Sequence, residues 1–182
     1  MDLEAIIVGC KKQNREAQKM LYECFKKTLF QSCLNYSGNY EEAEDLLHDA
    51  FIEIVTSIDS YKCKGSFEGW MKRIVINKAI THFKSKPKTE LIEKTPAIAD
   101  EQLDNITYTN LLEDILNSIH ELPDQYQMVF SLYELDNYSH KEIATMLSIS
   151  ESTSKSNLHR AKAILKLKLA EKNITKKVSN GI

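Results

Sequence analysis

Residues 43–58 read AEDLLHDAFIEIVTSI, and this stretch decides the fold class. Ala43, Leu46, Leu47, Ala50, Phe51, Ile54, Val55 and Ile58 recur at spacings of three and four, which gathers them on one face of an α-helix of about four turns. A half-buried strand would need strict alternation of apolar and polar residues, which this stretch lacks. Asn39 stands just ahead of the stripe with Glu42 three residues on, so that each side chain can satisfy an orphan backbone donor at the helix start. Only 5 Gly and 3 Pro punctuate 182 residues, too few for the frequent turns of an all-β chain. The expectation is an all-α protein.

Working outward, the same period returns on both sides. Upstream, residues 3–34 read as helix through Ala17, Met20, Leu21, Cys24 and Phe25, with a break near Asn14. Downstream, Ser66 can cap a helix carrying Phe67, Trp70, Met71, Ile74, Val75, Ala79, Ile80 and Phe83, apolar enough to be packed on two sides. The period fails between Ser85 and Asn110, where Pro87 and Pro96 interrupt a polar stretch. It resumes with Leu111, Leu112, Ile115, Leu116, Ile119 and Leu122, and Pro123 with Asp124 opens a further helix through Tyr126, Val129, Phe130 and Tyr133. Tyr138 to Leu165 reads as a helix-turn-helix: Ser139 caps a short helix with Ile143, Ala144 and Leu147 inward, Ser148 to Ser150 turn the chain, and a second helix from near Glu151 buries Leu158, Ala161 and Leu165. The organisation predicted is two small helical domains, 1–84 and 111–171, joined by a flexible linker, 85–110, and followed by a tail, 172–182.

Composition narrows the function classes. With 42% hydrophobic and 27% charged residues the chain is an ordinary globular one. No apolar run approaches the roughly 18 residues of a membrane-spanning helix, and the N-terminus carries acids where a secretion signal would be basic, so no membrane insertion and a cytoplasmic location are expected. Cys10, Cys24, Cys33 and Cys63 form no C-x-x-C pair and have no histidine at metal-ligand spacing, which suits buried, reduced thiols and no metal. His48, His82, His120, His140 and His159 are scattered singly over separate helices, so neither a catalytic constellation nor a cofactor is expected, and the chain is not expected to be an enzyme.

The net charge of −2 hides a sorting of charge. Residues 41–59 hold seven acids (Glu41, Glu42, Glu44, Asp45, Asp49, Glu53, Asp59) and no Lys or Arg. Residues 62–88 hold eight bases against Glu68, and residues 155–182 hold eight against Glu171. Such runs can be solvated helix faces; they can also be two nucleic-acid contacts and an acidic docking face for a basic partner. In the second helix of the helix-turn-helix, Lys155, Ser156, Asn157, His159, Arg160 and Lys162 form a donor-rich set able to reach phosphates and base edges. In residues 60–86, aromatic rings beside cations suit unpaired DNA, where rings stack on splayed bases while Lys and Arg follow the phosphates. The same rings at helical spacing also suit a core, and Trp70 fits that second reading better.

LYECF (21–25), AEDLLHDAFIEI (43–54), SFEGWMKRIVINKA (66–79), ELPDQYQMVFSL (121–132) and EIATMLSISESTSKSNLHRA (142–161) together resemble a bacterial sigma factor of the extracytoplasmic-function (ECF) group. The likeness covers nearly the whole chain apart from linker and tail. It implies a two-domain initiation factor whose first domain binds core RNA polymerase and melts the minus-ten element of promoter DNA, while the second reads the minus-thirty-five element. By position, Glu44, Asp45, Asp49 and Phe51 fall where the group docks on the polymerase. The loop residues Tyr61, Lys62, Lys64, Ser66 and Phe67 and the helix residues Lys72, Arg73, Asn77 and Lys78 fall where it engages the minus-ten strand. Lys155, Ser156, Asn157, His159 and Arg160 fall on the recognition helix. An anti-sigma factor, common for the group, is implied as a partner by the resemblance alone. The runner-up is a stand-alone helix-turn-helix regulator, which would leave the acids of 41–59 without a purpose. The sequence departs from the group at His48, where Gln is usual, at Ser148, where Gly would relax the turn, at Ser154, where Val would pack inward, and at Asn157, where a base is common. Asn157 either offers its amide to adenine or faces solvent or a phosphate.

Overall fold

The computed structural model describes residues 2–62, 64–86 and 111–179, and among them the secondary structure is helical throughout. The chain divides into two compact units, Met1–Ser85 and Lys86–Ile182. The residues expected as a linker lie outside the described ones from 87 onward.

Unit 1 contains α1 (Leu3–Lys11), α2 (Arg15–Leu34), α3 (Tyr40–Thr56) and α4 (Phe67–Ser85). The break near Asn14 is a cap: its side chain accepts from the Ala17 N–H at 3.0 Å and starts α2. The two arms of that elbow close tightly, because a Cβ built on Gly9 would stand 2.6 Å from the Ala17 Cβ. Asn39 caps α3 by accepting from the Glu42 N–H at 2.8 Å, while Glu42 reaches back one residue further than a simple capping box and accepts from the Gly38 N–H at 3.2 Å. The stripe of α3 is buried as its period requires, with Ala43, Leu46, Leu47, Ala50 and Ile54 inside. They meet Leu21 and Leu29 of α2 and Met71, Val75, Ile76 and Ala79 of α4 in a core that also takes in Cys10 and Cys33. Burial pushes both thiols up, that of Cys33 to about 12.

Unit 2 contains α5 (Leu111–His120), α6 (Asp124–Phe130), α7 (His140–Leu147) and α8 (Glu151–Ser179). Ile119, Leu122, Tyr126, Ala161 and Leu165 form its buried cluster, with Ile115, Phe130 and Ile164 packed against it. After α6 the backbone widens for one turn over Ser131–Leu135, where the Asp136 N–H donates to the Ser131 carbonyl five residues back at 3.1 Å. Ser139 and Glu142 form a full capping box on α7. Its end is turned by Ser148 in the left-handed conformation, φ 58°, ψ 44°. For a residue with a Cβ that geometry costs about 1–2 kcal/mol. Ser150 then accepts from the Thr153 N–H at 3.0 Å and opens α8. Helix α8 runs to Ser179, so the boundary expected at 171 falls inside a continuous helix.

Candidate polymerase and promoter surfaces

On α3 the apolar stripe turns inward, and this leaves Glu41, Glu44, Asp45, His48, Asp49 and Glu53 exposed along the opposite face. Sequence reading found no base within that run. The structure supplies two from α4: His82 Nε2 stands 3.0 Å from Asp49 Oδ2, and Lys78 Nζ 3.3 Å from Glu53 Oε2. These are exposed pairs and each contributes little to stability. The face is therefore divided, its C-terminal half partnered by α4 and Glu44 and Asp45 carrying no ion pair among the described residues. Phe51 is half-buried, set edge-on to Tyr22 with ring centroids 4.9 Å apart. Amid these acids Ile52 is 52% exposed, an apolar side chain that the reading of α3 overlooked. Its signal was visible: it is apolar and lies off the stripe.

The loop into α4 corrects part of the minus-ten set. Tyr61 is 8% and Phe67 5% exposed, and the two pack edge-on at 4.9 Å while Phe67 stacks on Trp70 at 5.4 Å. Phe25 closes the cluster from α2 at 6.0 Å from Phe67. The Tyr61 hydroxyl donates to the Gly65 carbonyl at 2.9 Å, across a turn in which Gly65 takes φ 84°. Rings so enclosed cannot stack on a base while the cluster is intact; Tyr61 and Phe67 are structural in the free chain, because burying aromatic area outweighs leaving it in water. Ser66 accepts from the Gly69 N–H at 3.0 Å and so serves α4 as its cap. Exposed around this cluster are Lys62, Lys64, Arg73 and Asn77. Lys72 pairs with Glu68 one turn back at 2.8 Å, and Lys78 with Glu53 as above.

In unit 2 helix α8 presents Lys155, Ser156 and His159 to solvent, with Arg160 half-buried. Lys162 is held by Glu134 at 2.7 Å. Asn157 is corrected: it is 3% exposed and its Nδ2 has no hydrogen-bond partner, so neither base nor solvent is within its reach. The physical reason is phase. Asn157 lies four residues before Ala161 and eight before Leu165, on the buried stripe rather than the open face. Ser154, one turn earlier on that side, is fully buried and hydrogen-bonded to His140 Nδ1 at 2.9 Å. His140 stacks on Tyr133 at 4.4 Å with 23° between the planes. Burial holds the His140 pKa below its ordinary value; Lys155 and Lys162 add to the effect, and Glu151 opposes it.

Among the described residues no group of three or more His, Cys, Asp or Glu is arranged to hold a metal ion, and no helix is long and apolar enough to cross a membrane.

Known proteins share this arrangement. The model for sigma-70 region 2 matches residues 21–89, and that for sigma-70 region 4 matches residues 112–165. The ECF RNA polymerase sigma factor SigW of Bacillus subtilis is 29% identical over 184 residues, covering 94% of this chain and 98% of the relative. The ECF RNA polymerase sigma-E factor of Escherichia coli is 25% identical over 134 residues, covering 66% and 70%. In fold the chain is similar to the sigma factor RpoE from Bartonella quintana, solved in complex with the anti-sigma factor NepR, at a TM-score of 0.52 and 19% identity over 84% of this chain and 96% of that one. With two sigma-70 regions matched in order on two separate helical units, and with SigW matched over almost its full length, the chain belongs to the sigma-70 family as a sigma factor of the ECF group.

Proposed function

We propose that the two units divide the work of initiation between them. Unit 1, from residue 1 to about 84, docks on core RNA polymerase through Glu44, Asp45, Asp49 and the exposed edge of Phe51. Ile52 adds an apolar anchor in the middle of that face. The same unit engages the minus-ten strand through Lys62 and Lys64 of the loop before α4 and through Lys72, Arg73, Asn77 and Lys78 of α4, whose start Ser66 holds. Unit 2 places α8 in the major groove of the minus-thirty-five element, where Lys155, Ser156, His159 and Arg160 supply donors for phosphates and base edges. The protein carries no chemistry of its own in this reading; the polymerase makes the RNA, in the cytoplasm, and this chain chooses where it starts. An anti-sigma factor, the kind of partner bound to the Bartonella quintana protein, is a further proposed partner.

The observation that carries the reading is the sorting of exposed charge by helix: acids with no Lys or Arg among them on the open face of α3, Arg73 and Asn77 exposed on α4, and Lys155, Ser156, His159 and Lys162 exposed on α8. Opposite charge on distinct faces suits a basic protein partner and a polyanion held at the same time. Transcription in vitro by core polymerase with and without the full chain, with start sites mapped on genomic DNA, tests it. Starts at a common pair of elements, appearing only with the chain present, are expected. Operator binding by the chain alone, indifferent to polymerase, would favour the stand-alone regulator instead.

A further inference from the structure

Two polar side chains, Ser154 and Asn157, occupy the buried side of α8. Three residues apart, they share a face, and the open-face residues Lys155 and Ser156 lie between them in sequence. Asn157 leaves its Nδ2 unsatisfied. Ser154 is satisfied from outside its own helix, by the imidazole of His140, the first residue of α7. That imidazole is itself fixed by stacking on Tyr133, in the widened turn before α7. A chain of contacts thus runs from the Ser131–Leu135 turn through the start of α7 to the start of α8. Apolar packing alone tolerates small rotations of one helix against another, whereas a directional bond between fixed atoms does not. Rotation matters here because side chains one position apart on a helix point about 100° apart. A modest turn of α8 about its axis changes which of Lys155, Ser156 and His159 meets a base edge.

We propose that His140 is a positioning residue for promoter recognition: through its hydrogen bond to Ser154 it sets the rotation of α8, and with it the base preference at the minus-thirty-five element. His140 touches no base itself in this scheme. The inference rests on the assignment of minus-thirty-five reading to unit 2.

The test uses the full chain bound to core polymerase and a duplex promoter library with a fixed minus-ten element and a randomised minus-thirty-five element, at one salt concentration. His140→Phe keeps a ring over Tyr133 and removes the bond; Ser154→Ala removes it from the other side. Both should lower discrimination between the preferred sequence and the library mean about fivefold, the scale of indirect coupling through packed side chains, with affinity for nonspecific duplex unchanged. His140→Asn, whose amide places a hydrogen-bonding atom near the position of Nδ1, should keep the wild-type preference. His140→Phe combined with Ser154→Val should regain discrimination, since an apolar pair then fills the space that the bonded pair held. Circular dichroism melting of each variant confirms the folded state. Wild-type preference in both His140→Phe and Ser154→Ala would overturn the inference, as would a defect in His140→Asn equal to that of His140→Phe. A wild-type complex with no preference at the minus-thirty-five element would instead overturn the assignment of unit 2 on which the inference stands.

Discussion

Unit 1 keeps its polarity outside, and unit 2 carries much of its own inside. Among the described residues Ser37 is the buried polar side chain of unit 1, whereas unit 2 buries Ser118, Gln127, Ser131, Ser154 and Asn157. In unit 1 charged pairs such as Asp49 with His82 and Glu53 with Lys78 lie on the surface over an aliphatic and aromatic core. Each choice has a physical consequence. An apolar core gains stability with the area it buries and tolerates changes at its surface. A core with polar side chains stabilises less, but its directional bonds select one arrangement over near neighbours. A unit that grips a large partner needs mainly to stay folded, whereas one that reads base edges needs its helix in one orientation.

The sharpest way to break this contrast is in the core of unit 1. Leu21→Ala, at a fully buried site, should destabilise that unit by about 3 kcal/mol. Because Trp70 is the chain's single tryptophan, urea unfolding followed by its fluorescence reports on unit 1 alone. A change below about 1 kcal/mol would mean that the core is loosely packed and the contrast mistaken.

Next in size is the surface. Asp45→Arg with Asp49→Arg should weaken binding to core polymerase by about 2 kcal/mol or more through like-charge juxtaposition. The Trp70 unfolding curve should scarcely move, since the pair lost with His82 is exposed. Undiminished binding by the folded variant would remove α3 from the docking face.

In unit 2 the expected change has the opposite sign. Asn157→Leu removes a buried amide with an orphan donor and should stabilise the unit by about 1 kcal/mol, read by circular dichroism, with base preference at the minus-thirty-five element retained. Altered base preference without a gain in stability would return Asn157 to the DNA.

The smallest expected effect is on pH dependence. His140 has a pKa depressed below its ordinary 6.5 in the folded state, so the unfolded chain takes up its proton first as pH falls. The contribution is fully present above about pH 6.5 and is lost progressively toward the lower folded value. Between about pH 7.5 and pH 5.5 wild-type unit 2 should lose more stability in urea than His140→Asn does; parallel losses would assign the pH dependence to other groups.

What the sequence made legible was what is local. The α3 stripe, the Ser139 cap, the Pro123 helix start and the turn beginning at Ser148 all rest on residues within a few positions of one another, and each is found as read. What it concealed depends on distance or phase. The partner of Asp49 is His82, 33 residues away, so the acids of α3 read as uncompensated. Tyr61 and Phe67 look like base platforms until Phe25 and Trp70 close around them. Asn157 was assigned by its polarity to the open face, although its spacing from Ala161 and Leu165 already placed it with the buried stripe. The widened turn after α6 left no mark in the apolar period, since it changes backbone bonding without changing residue type.

Cys33 gives unit 1 an internal clock. Burial pushes its pKa up to about 12, so the reactive thiolate is scarce at neutral pH while the unit is closed. When the unit opens, the thiol returns toward ordinary acidity and meets solvent. Alkylation of Cys33 by a small electrophile therefore counts openings, and its rate, compared with that of a free cysteine, measures how often α2 parts from its neighbours. Bound polymerase would slow that clock to the extent that it holds unit 1 shut, so that a mass spectrum of one peptide can weigh the grip of a partner many times its size.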